Sequence, residues 1–437
     1  MQGPLAAVVY DTTRTEASWW EASATPTPTP DVSPLEAEEA TDVAIIGGGL
    51  CGLSCARALA ERGIGATVLE AGEIGWGASG RAGGLVCFGG WKLSRGRMIR
   101  RHGLAETERA ERSLADWIPE LRIFAEAHLT QDVQGDGELI LAHGPRAARE
   151  LAAETVPAGF SAEPVPPSGL ADIARYGGVW MRPGFGVHPL KLTRAFAAAA
   201  VASGARLHPR SEVVLWERAG NGHRLLTAHG SLRAGRVVLA ANAFTPERLH
   251  PAFKARLLPV ISNIAVTRPL TEAERSAHPW LGDTPCSDSR ALLVYFRLLP
   301  DGRLLFGMRG DLRGTEAGAR RMQVHLRARL DRALPGLAGA DFSHMWRGPV
   351  AMTRQLTPAI GQLTDAPTVF HAFGWHGSGI AMGTLAGRLV AAQIAGAPVD
   401  AVPAPWRGLP PPIPLPGLRP LYLGASMAAM ALQDRLG

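Results

Sequence analysis

A glycine-rich turn between an apolar strand and a helix constrains the fold of this chain more than any other segment. Residues 47–52 read Gly-Gly-Gly-Leu-Cys-Gly, which matches the pattern G-x-G-x-x-G. The apolar run 43–46 precedes the turn, a helical pattern over 50–62 follows it, and a second strand is predicted over 67–70. This order predicts a β-α-β unit whose first turn binds the pyrophosphate of a dinucleotide.

The three motif glycines and one acidic residue have separate expected roles. Gly47 allows the tight turn, Gly49 lets the backbone approach a pyrophosphate, and Gly52 lets the helix pack closely on the strand. The free N–H groups at the start of the helix favour an anion there. Glu70 ends the second predicted strand, where its carboxylate would accept hydrogen bonds from ribose hydroxyls and repel a 2′-phosphate. NADP is therefore disfavoured at this site.

A second glycine-rich segment, 75–84, directly follows the strand that carries Glu70. Its glycines permit close contact between the backbone and a ligand. Ser79 and Arg81 add hydrogen-bond donors, and arginine suits phosphate recognition. A loop of this kind can lie along the rest of an extended dinucleotide.

Composition limits the class of protein. The 437 residues suggest two or three domains, and a hydrophobic content of 46% is enough for large cores. Four cysteines are too few and too scattered for a disulfide framework or a zinc site, so we expect no metal centre. No apolar run approaches the ~20 residues of a membrane-spanning helix, and the N-terminus lacks a secretory pattern. We therefore expect a cytoplasmic protein without a membrane span.

The net charge of +6 raises the question of a nucleic-acid partner. Nearly all of the positive charge comes from arginine, since the only lysines are Lys92, Lys191 and Lys254. The arginine clusters within 95–101 and 320–329 fall in helix-like sequence and read as solvated helix faces. We therefore expect no nucleic-acid binding.

Other segments complete the predicted secondary structure. Residues 1–40 hold no periodic element and read as an extended arm, which contains a Thr-Pro repeat at 25–30 and docks through Trp19-Trp20. Helices are predicted within 103–153 and over 190–203, 322–334, 379–395 and 421–432. Strands are predicted over 212–216, 236–241 and 368–373, with a hairpin formed by 292–298 and 303–308.

The order of several motifs resembles that of the D-amino-acid oxidase-like superfamily of FAD-dependent amine and amino-acid oxidoreductases. The matching segments are Ser18-Trp19-Trp20, the glycine motif, 78–84, 237–243, Tyr295 with 301–303, and 374–379. The resemblance covers roughly residues 17–400 and is closest to the branch of gamma-glutamylputrescine oxidase and sarcosine oxidase.

The resemblance implies FAD as the cofactor, bound without a covalent link. Members that attach the flavin covalently use a cysteine just before a threonine, and Val350-Ala351-Met352 ahead of Thr353 contains none. The segment 377–380 would face the pyrimidine end of the flavin, where a helix N-terminus stabilises the reduced ring. The implied cofactor-binding residues are Gly47, Gly49, Leu50, Cys51, Gly52, Glu70, Ala71, Ala78, Ser79, Gly80, Arg81, Gly83, Gly84, Leu85, Val213, Ala240, Asn242, Gly377, Ser378, Gly379 and Ile380.

Three positions depart from the family pattern. Ala82 replaces the usual asparagine of the second glycine-rich loop, Ser378 stands where histidine is common, and Gln355 replaces a carboxylate. The departures bear on the flavin environment, and hence on the substrate and the oxidant.

The implied activity is oxidation of the C–N bond of an amine or amino acid. A hydride passes to flavin N5, the resulting imine is hydrolysed by water, and O2 or another acceptor reoxidises the flavin. His376 and Arg309 are the candidate catalytic residues, and Tyr295 and Trp346 are candidate substrate-binding aromatics. Each has a structural alternative: a hydrogen-bonded histidine, a salt bridge at the rim, and core packing for the two aromatics.

Two other functions are compatible with the FAD motif. One is a monooxygenase that NAD(P)H reduces, and the other is a non-catalytic FAD-binding accessory protein, which only the positive charge supports. Reduction of the flavin by an amine alone would distinguish the oxidase from both. The sequence leaves the oligomeric state open.

The predicted architecture is an α/β (α+β) fold with two domains. A Rossmann-like FAD-binding domain is expected from 40–120, 186–250 and 345–400, and an antiparallel-sheet substrate domain from 121–185 and 251–344. The flavin ring would lie at their interface. The flanking segments are an N-terminal arm, 1–39, and a proline-rich C-terminal tail with a short helix, 401–437.

Overall fold

The computed structural model describes residues 4–24, 32–129, 131–167 and 172–436. The predicted Thr-Pro repeat at 25–30 lies outside the described residues. Within these ranges, no helix is both long enough and apolar enough to cross a membrane.

Eleven α-helices and nineteen strands are distributed along the described chain. The helices are α1 Trp19–Ser23, α2 Leu50–Ala60, α3 Ala78–Arg81, α4 Arg95–His102, α5 Leu104–His128, α6 Pro145–Ala153, α7 Pro189–Ala202, α8 Glu272–Ala277, α9 Glu316–Ala333, α10 Gly379–Ile394 and α11 Arg419–Leu436. The strands are β1 Glu38–Ile46, β2 Ala66–Leu69, β3 Leu85–Val86, β4 Val133–Gln134, β5 Glu138–Leu141, β6 Ser161–Val165, β7 Gly178–Arg182, β8 Phe185–Val187, β9 Arg206–His208, β10 Leu215–Ala219, β11 Gly222–Leu226, β12 Ser231–Leu239, β13 Leu257–Pro269, β14 Cys286–Asp288, β15 Val294–Leu298, β16 Arg303–Arg309, β17 Phe342–Thr353, β18 Ala359–Gln362 and β19 Val369–Phe373.

The first sheet is built around parallel strands. Its order is β10-β11-β12-β1-β2-β9, while β19 pairs with the C-terminal part of β12 and β18 pairs with β19. β1 is parallel to both neighbours, since Ile46 pairs with Leu239 on one side and with Leu69 on the other. The carboxyl ends of β1, β2, β12 and β19 therefore meet at one edge of the sheet.

Both faces of the first sheet are buried, as the uninterrupted apolar run of β1 predicts. Val43 and Ile45 pack in a core that includes residues of α2, α7 and α10. Ala44 and Ile46 point the other way, into a core that includes Phe373. The alternation of side chains along a strand accounts for this division.

The second sheet has the order β17-β13-β16-β15-β14-β5-β7-β6. Its pairs are antiparallel except for β14 and β5, which run parallel. Helix α9 covers one face, where Leu326 and Leu330 share a core with Phe296 and Phe306. A three-stranded sheet, β3-β8-β4, completes the described strands.

Several predicted elements form at the predicted positions, among them the β1-α2-β2 unit, α7, the β15-β16 hairpin, β19 and α10. The prediction of helix within 103–153 is wrong over β5, which pairs with β7 and β14. The strand predicted over 212–216 begins at Leu215 and forms a hairpin with β11. The arm is not extended throughout, because Trp19–Ser23 form a short helix. The domain boundaries stay a prediction.

Candidate active site

A cavity of about 310 Å³ lies at the carboxyl ends of β1, β2 and β12. Ligands of open α/β sheets bind at this edge, and the volume falls in the range of ligand pockets, about 300–1,000 Å³. The second sheet supplies the opposite wall through Ser262, Tyr295 and Arg309. Both sheets therefore contribute to one site.

The glycine motif forms the predicted turn. Gly47 has a φ of +112°, and a Cβ there would lie 3.0 Å from the backbone of Ala240, just after β12. At Gly52 a Cβ would lie 2.0 Å from the Gly47 carbonyl oxygen, so only glycine lets α2 approach the turn. The first N–H of α2, on Leu50, donates to the Ser79 hydroxyl at 3.0 Å. The second glycine-rich loop thus contacts the helix start that faces the cavity.

Glu70 stands at the predicted place, directly after β2, and lines the cavity. Its carboxylate accepts hydrogen bonds from the backbone N–H of Gly48 at 2.6 Å and of Gly72 at 2.9 Å. Burial raises the pKa of this carboxyl, and the two backbone donors oppose the shift. The side chain fixes the glycine turn and also faces the space where a ribose would lie.

Arg81 is more engaged by the protein than the sequence predicts. Its guanidinium lies 4.5 Å from the ring centre of Trp76, and its Nε donates to the Trp76 carbonyl oxygen at 2.7 Å. Its Nη1 lies 3.6 Å from a carboxylate oxygen of Glu16 in the arm. Burial lowers the pKa of Arg81. The guanidinium therefore ties the arm to the loop, which favours a structural role over a free phosphate donor.

His376 lines the cavity, but both of its ring nitrogens are occupied. Nε2 accepts a hydrogen bond from the Thr353 backbone N–H at 3.1 Å, and Nδ1 lies 3.0 Å from the Gly90 carbonyl oxygen, to which it donates. Burial lowers the pKa of His376 to about 4. This geometry favours the structural alternative over the predicted catalytic role, because a neutral ring bonded at both nitrogens is not free to move a proton.

Arg309 is the last residue of β16, and most of its guanidinium N–H groups have no hydrogen-bond partner among the described residues. Nη2 donates to the His376 carbonyl oxygen at 3.0 Å, and no acidic side chain of the described residues pairs with it. Burial lowers the pKa of Arg309. Nearby, the Tyr295 hydroxyl lies 2.9 Å from the Ser262 hydroxyl, and its ring borders Gly83. Arg309 is placed to bind an anion rather than to form a salt bridge at the rim.

Two charged residues that the sequence reasoning missed, Lys92 and Glu138, also line the cavity. Glu138, on β5, accepts a hydrogen bond from the Ser287 hydroxyl at 2.6 Å. Burial lowers the pKa of Lys92 to about 7 and raises that of Glu138. The rarity of lysine in this arginine-rich chain was a usable signal, because an ammonium changes its pKa on burial more readily than a guanidinium does. No comparable feature of the sequence distinguished Glu138 from the other acidic residues.

Most of the predicted cofactor-binding residues line the cavity, namely Gly47, Gly49, Leu50, Cys51, Glu70, Ala71, Ala78, Ser79, Arg81, Gly83, Gly84, Leu85, Val213, Ala240, Asn242, Gly377, Ser378, Gly379 and Ile380. Gly52 and Gly80 lie behind the wall, and a Cβ at Gly80 would lie 2.0 Å from the Gly75 carbonyl oxygen. These two glycines permit backbone packing.

Trp346, a predicted substrate contact, also lies outside the cavity wall. Its indole N–H donates to the Arg81 carbonyl oxygen at 2.9 Å, and its ring packs edge-on against Trp20. Trp346 is therefore a core residue that supports the loop. Tyr295, the other predicted aromatic, does line the cavity.

The residues present fit an extended dinucleotide. The cavity reaches from the start of α2 to the start of α10, and neither helix has its first turn capped by the side chain of its own N-cap residue. Apart from Leu50, whose N–H already donates to Ser79, the N–H groups of these first turns suit anionic groups at both ends. In the described ranges, no cluster of His, Cys, Asp and Glu side chains is arranged to hold a metal ion.

Comparison with known proteins gives the family. The model of the FAD dependent oxidoreductase family, DAO, matches residues 42–393. The chain is 29% identical over 375 residues to a probable oxidoreductase, OrdL, of Haemophilus influenzae, covering 83% of this chain and 85% of that protein. It is also 29% identical over 433 residues to gamma-glutamylputrescine oxidoreductase of Escherichia coli, covering 91% and 93%.

Solved structures share the fold. Glycine oxidase from Geobacillus kaustophilus matches with a TM-score of 0.68 at 23% identity, over 86% of this chain and 100% of that chain. L-amino acid deaminase from Proteus myxofaciens matches with a TM-score of 0.66 at 18% identity, over 90% and 97%. Since the family match covers most of the chain, the protein belongs to the DAO family of FAD-dependent oxidoreductases.

Proposed function

We propose that the protein oxidises the C–N bond of an amine or amino acid. One observation carries the proposal. The part of the cavity lined by the glycine motif and by 75–84 is called the cradle, and the part lined by Tyr295 and Arg309 is called the chamber. The cradle continues into the chamber within a single cavity, and the Arg309 guanidinium faces the open space there. A dinucleotide and a small substrate with an anionic group would thus share one enclosed volume.

The residues of the chain would bind and orient the reactants. When bound, FAD supplies the acceptor for a hydride from the carbon next to the amine nitrogen. Arg309 would hold an anionic group of the substrate, and the walls from both sheets would keep bulk water away from the reacting carbon. Water hydrolyses the imine product to a carbonyl compound and releases the nitrogen as ammonia or an amine. His376 takes no proton in this scheme, because both ring nitrogens already bond to the protein.

We further propose that FAD is bound non-covalently. Cys51 and Cys87 border the cavity, and burial raises the pKa of both thiols, that of Cys51 to about 12. A thiol held in this form is a poor nucleophile. Precipitation of the yellow protein with acid should release the flavin into the supernatant. Flavin that stays in the pellet would contradict non-covalent binding.

The names of related proteins support an amine substrate. One relative is named gamma-glutamylputrescine oxidoreductase, and one structural neighbour is glycine oxidase. Both names denote compounds in which a carbon bonded to nitrogen also carries hydrogen. We propose the same bond type for this protein.

The test is anaerobic mixing of the FAD-loaded protein with a panel of amines and amino acids. Loss of the oxidised flavin absorbance with an amine alone is the expected result. Bleaching by NAD(P)H but by no amine would overturn the proposal and favour a monooxygenase. No bleaching by either would favour a non-catalytic role. Readmission of O2 to the reduced protein then distinguishes an oxidase from a dehydrogenase.

We also propose a cytoplasmic location. All four cysteines, Cys51, Cys55, Cys87 and Cys286, are buried free thiols, as is usual where thiols are kept reduced. Fractionation of the producing cells, with markers for each compartment, tests the location.

A further inference from the structure

Lys92 and Glu138 carry opposite charges in the same cavity without pairing with each other. Lys92 belongs to the segment after β3, and Glu138 lies on β5 of the second sheet. Protein surrounds the Lys92 side chain, but its surface remains accessible because it faces the open space of the cavity. Within the described part of the chain, no carboxylate forms an ion pair with Lys92 and no cation forms one with Glu138.

The two groups belong to the chamber rather than to the dinucleotide cradle. Arg309 is close enough to lower the pKa of Lys92, and Lys92 is close enough to lower that of His376. The remaining carboxylates of the cavity wall, Glu70 and Glu212, lie beside β2 and Val213, at the cradle end. Glu138 is thus the carboxylate that the described wall offers to a substrate.

Local contacts hold the Glu138 carboxylate in place. The Ser287 hydroxyl donates to it at 2.6 Å, and the Cys87 thiol adds a second hydrogen bond. Both donors leave part of the carboxylate open to the cavity. A charge without a partner in a cavity destabilises the protein, and a bound ligand of opposite charge offsets this destabilisation.

We propose that Lys92 and Glu138 bind a zwitterionic group of the substrate, with a carboxylate at Lys92 and an ammonium at Glu138. The inference rests on the proposed oxidation of an amine and names its substrate class. An ammonium bonded to Glu138 has no free lone pair, so it is not the nitrogen whose neighbouring carbon loses a hydride. The substrate therefore has a second, reacting amine in addition to its amino-acid head, and it is a diamino acid or an amine that carries an amino-acid group.

Four matched probes test the charge requirement. L-lysine carries both remote charges, 1,5-diaminopentane carries only the ammonium, 6-aminohexanoate carries only the carboxylate, and pentylamine carries neither. A second set, based on L-ornithine and one methylene shorter, tests a shorter distance between the reacting amine and the remote charges. For a probe that bleaches the flavin, the dissociation constant comes from the dependence of the anaerobic reduction rate on probe concentration. For a probe that does not, it comes from the shift of the flavin absorbance on binding. We expect the diamino acid of at least one set to bind about tenfold or more tightly than its three analogues.

Variants assign each charge. In Lys92→Met, the preference for L-lysine over 1,5-diaminopentane should fall about tenfold, because Arg309 is then the one cation of the described wall left near the carboxylate. In Glu138→Gln, L-lysine and 6-aminohexanoate should bind equally. Lys254→Met, at an exposed lysine outside the cavity, is the control and should keep the preference. The flavin content and the melting temperature show whether each variant is folded.

Equal binding of all four probes to the wild-type protein, in both sets, would overturn the inference without any variant. A preference that survives both substitutions would overturn it as well. The proposed function fails separately: if no amine bleaches the flavin while the diamino acids still bind preferentially, the zwitterion site stands and the oxidation does not. If simple amines bleach the flavin without any preference, the reverse holds.

Discussion

At two glycines of the same motif, Gly49 and Gly52, an added Cβ would meet different neighbours. A Cβ at Gly52 would lie 2.0 Å from a backbone oxygen of Gly47, whereas a Cβ at Gly49 would lie 2.8 Å from the Ser79 hydroxyl, which can turn away. We expect Gly52→Ala to destabilise the fold by about 1–3 kcal/mol, as overpacking does. Gly49→Val should fold but block the approach of a pyrophosphate.

Thermal unfolding and the ratio of flavin to protein absorbance separate the two effects. Gly339→Ala is a suitable control, since a Cβ there meets nothing within 4 Å. A Gly49→Val protein that purifies with full FAD would refute the assignment of the motif to the cofactor.

With the role proposed for Lys92, substrate binding should depend on pH near neutrality. Burial, together with Arg309, lowers its pKa to about 7, while Glu138 acts in the opposite direction. His376, also nearby, has its pKa lowered to about 4 and stays neutral in this range. The ammonium is present below pH 7 and is lost as the pH rises through that value. The KM of a substrate that bears a carboxylate should therefore rise with pH above 7.

Lys92→Arg is the matched control for this pH effect, because a guanidinium stays charged throughout the range. Its KM profile should be flat where that of the wild-type protein rises. A rise of the same size in both proteins would show that another group titrates.

At the scale of elements, the C-terminal helix α11 supports the cavity wall through the side chain of Asp434. The Asp434 carboxylate accepts hydrogen bonds from the backbone N–H of Ala291 at 2.7 Å and of Leu292 at 3.1 Å. Leu293 of the same loop, between β14 and β15, lines the cavity. The helix thus fixes a loop that borders the chamber.

Removal of this carboxylate in Asp434→Ala should loosen the loop. Trypsin cleavage after Arg290 is the direct measure, and we expect it to accelerate several-fold, while the FAD content stays unchanged because the hydrogen bonds of Asp434 go to this loop and not to the glycine-rich segments. Gln433→Ala, at the exposed preceding position, is the control. Equal cleavage of all three proteins would show that α11 does not hold the loop.

Elements with a strong local pattern were predictable, and elements defined by distant pairing were not. The β1-α2-β2 unit follows from an apolar run, a glycine turn and a helical period within 30 residues. β5 contains only four residues beside helix-like sequence, and it is a strand because β7 and β14 pair with it. Glu138 was missed for the same reason, since its place in the chamber depends on that pairing.

At the scale of the molecule, the cradle and the chamber differ in how far apart their parts lie in the sequence. Much of the cradle comes from two neighbouring segments, 47–52 and 75–84, so its residues could be read from one motif and its context. The chamber combines Lys92, Glu138 and Arg309 from three distant segments. Of these three, only Arg309 was predicted, from its place after the strand over 303–308, and no local spacing relates it to the other two.

The N-terminal arm connects the two sheets around the second glycine-rich loop. Trp20 is buried and packs with Leu190 of α7, on the side of the first sheet, and with Ile264 of β13 in the second. Its indole N–H donates to the Ala82 carbonyl oxygen at 2.8 Å, one residue from the carbonyl that Trp346 holds. Two indoles, one from the arm and one from β17, therefore fix the loop from behind.

We expect Trp20→Ala to lower the free energy of unfolding by about 3–5 kcal/mol, the usual cost of removing a buried aromatic ring. It should also weaken FAD binding, because the loop at 81–84 loses one of the two indole hydrogen bonds to its backbone. Trp20→Phe retains the ring packing and loses only the hydrogen bond, so its cost should be about 1 kcal/mol. Denaturant unfolding measures the first effect, and titration of the apoprotein with FAD measures the second. Wild-type FAD affinity in Trp20→Ala would mean that the arm contributes to stability alone.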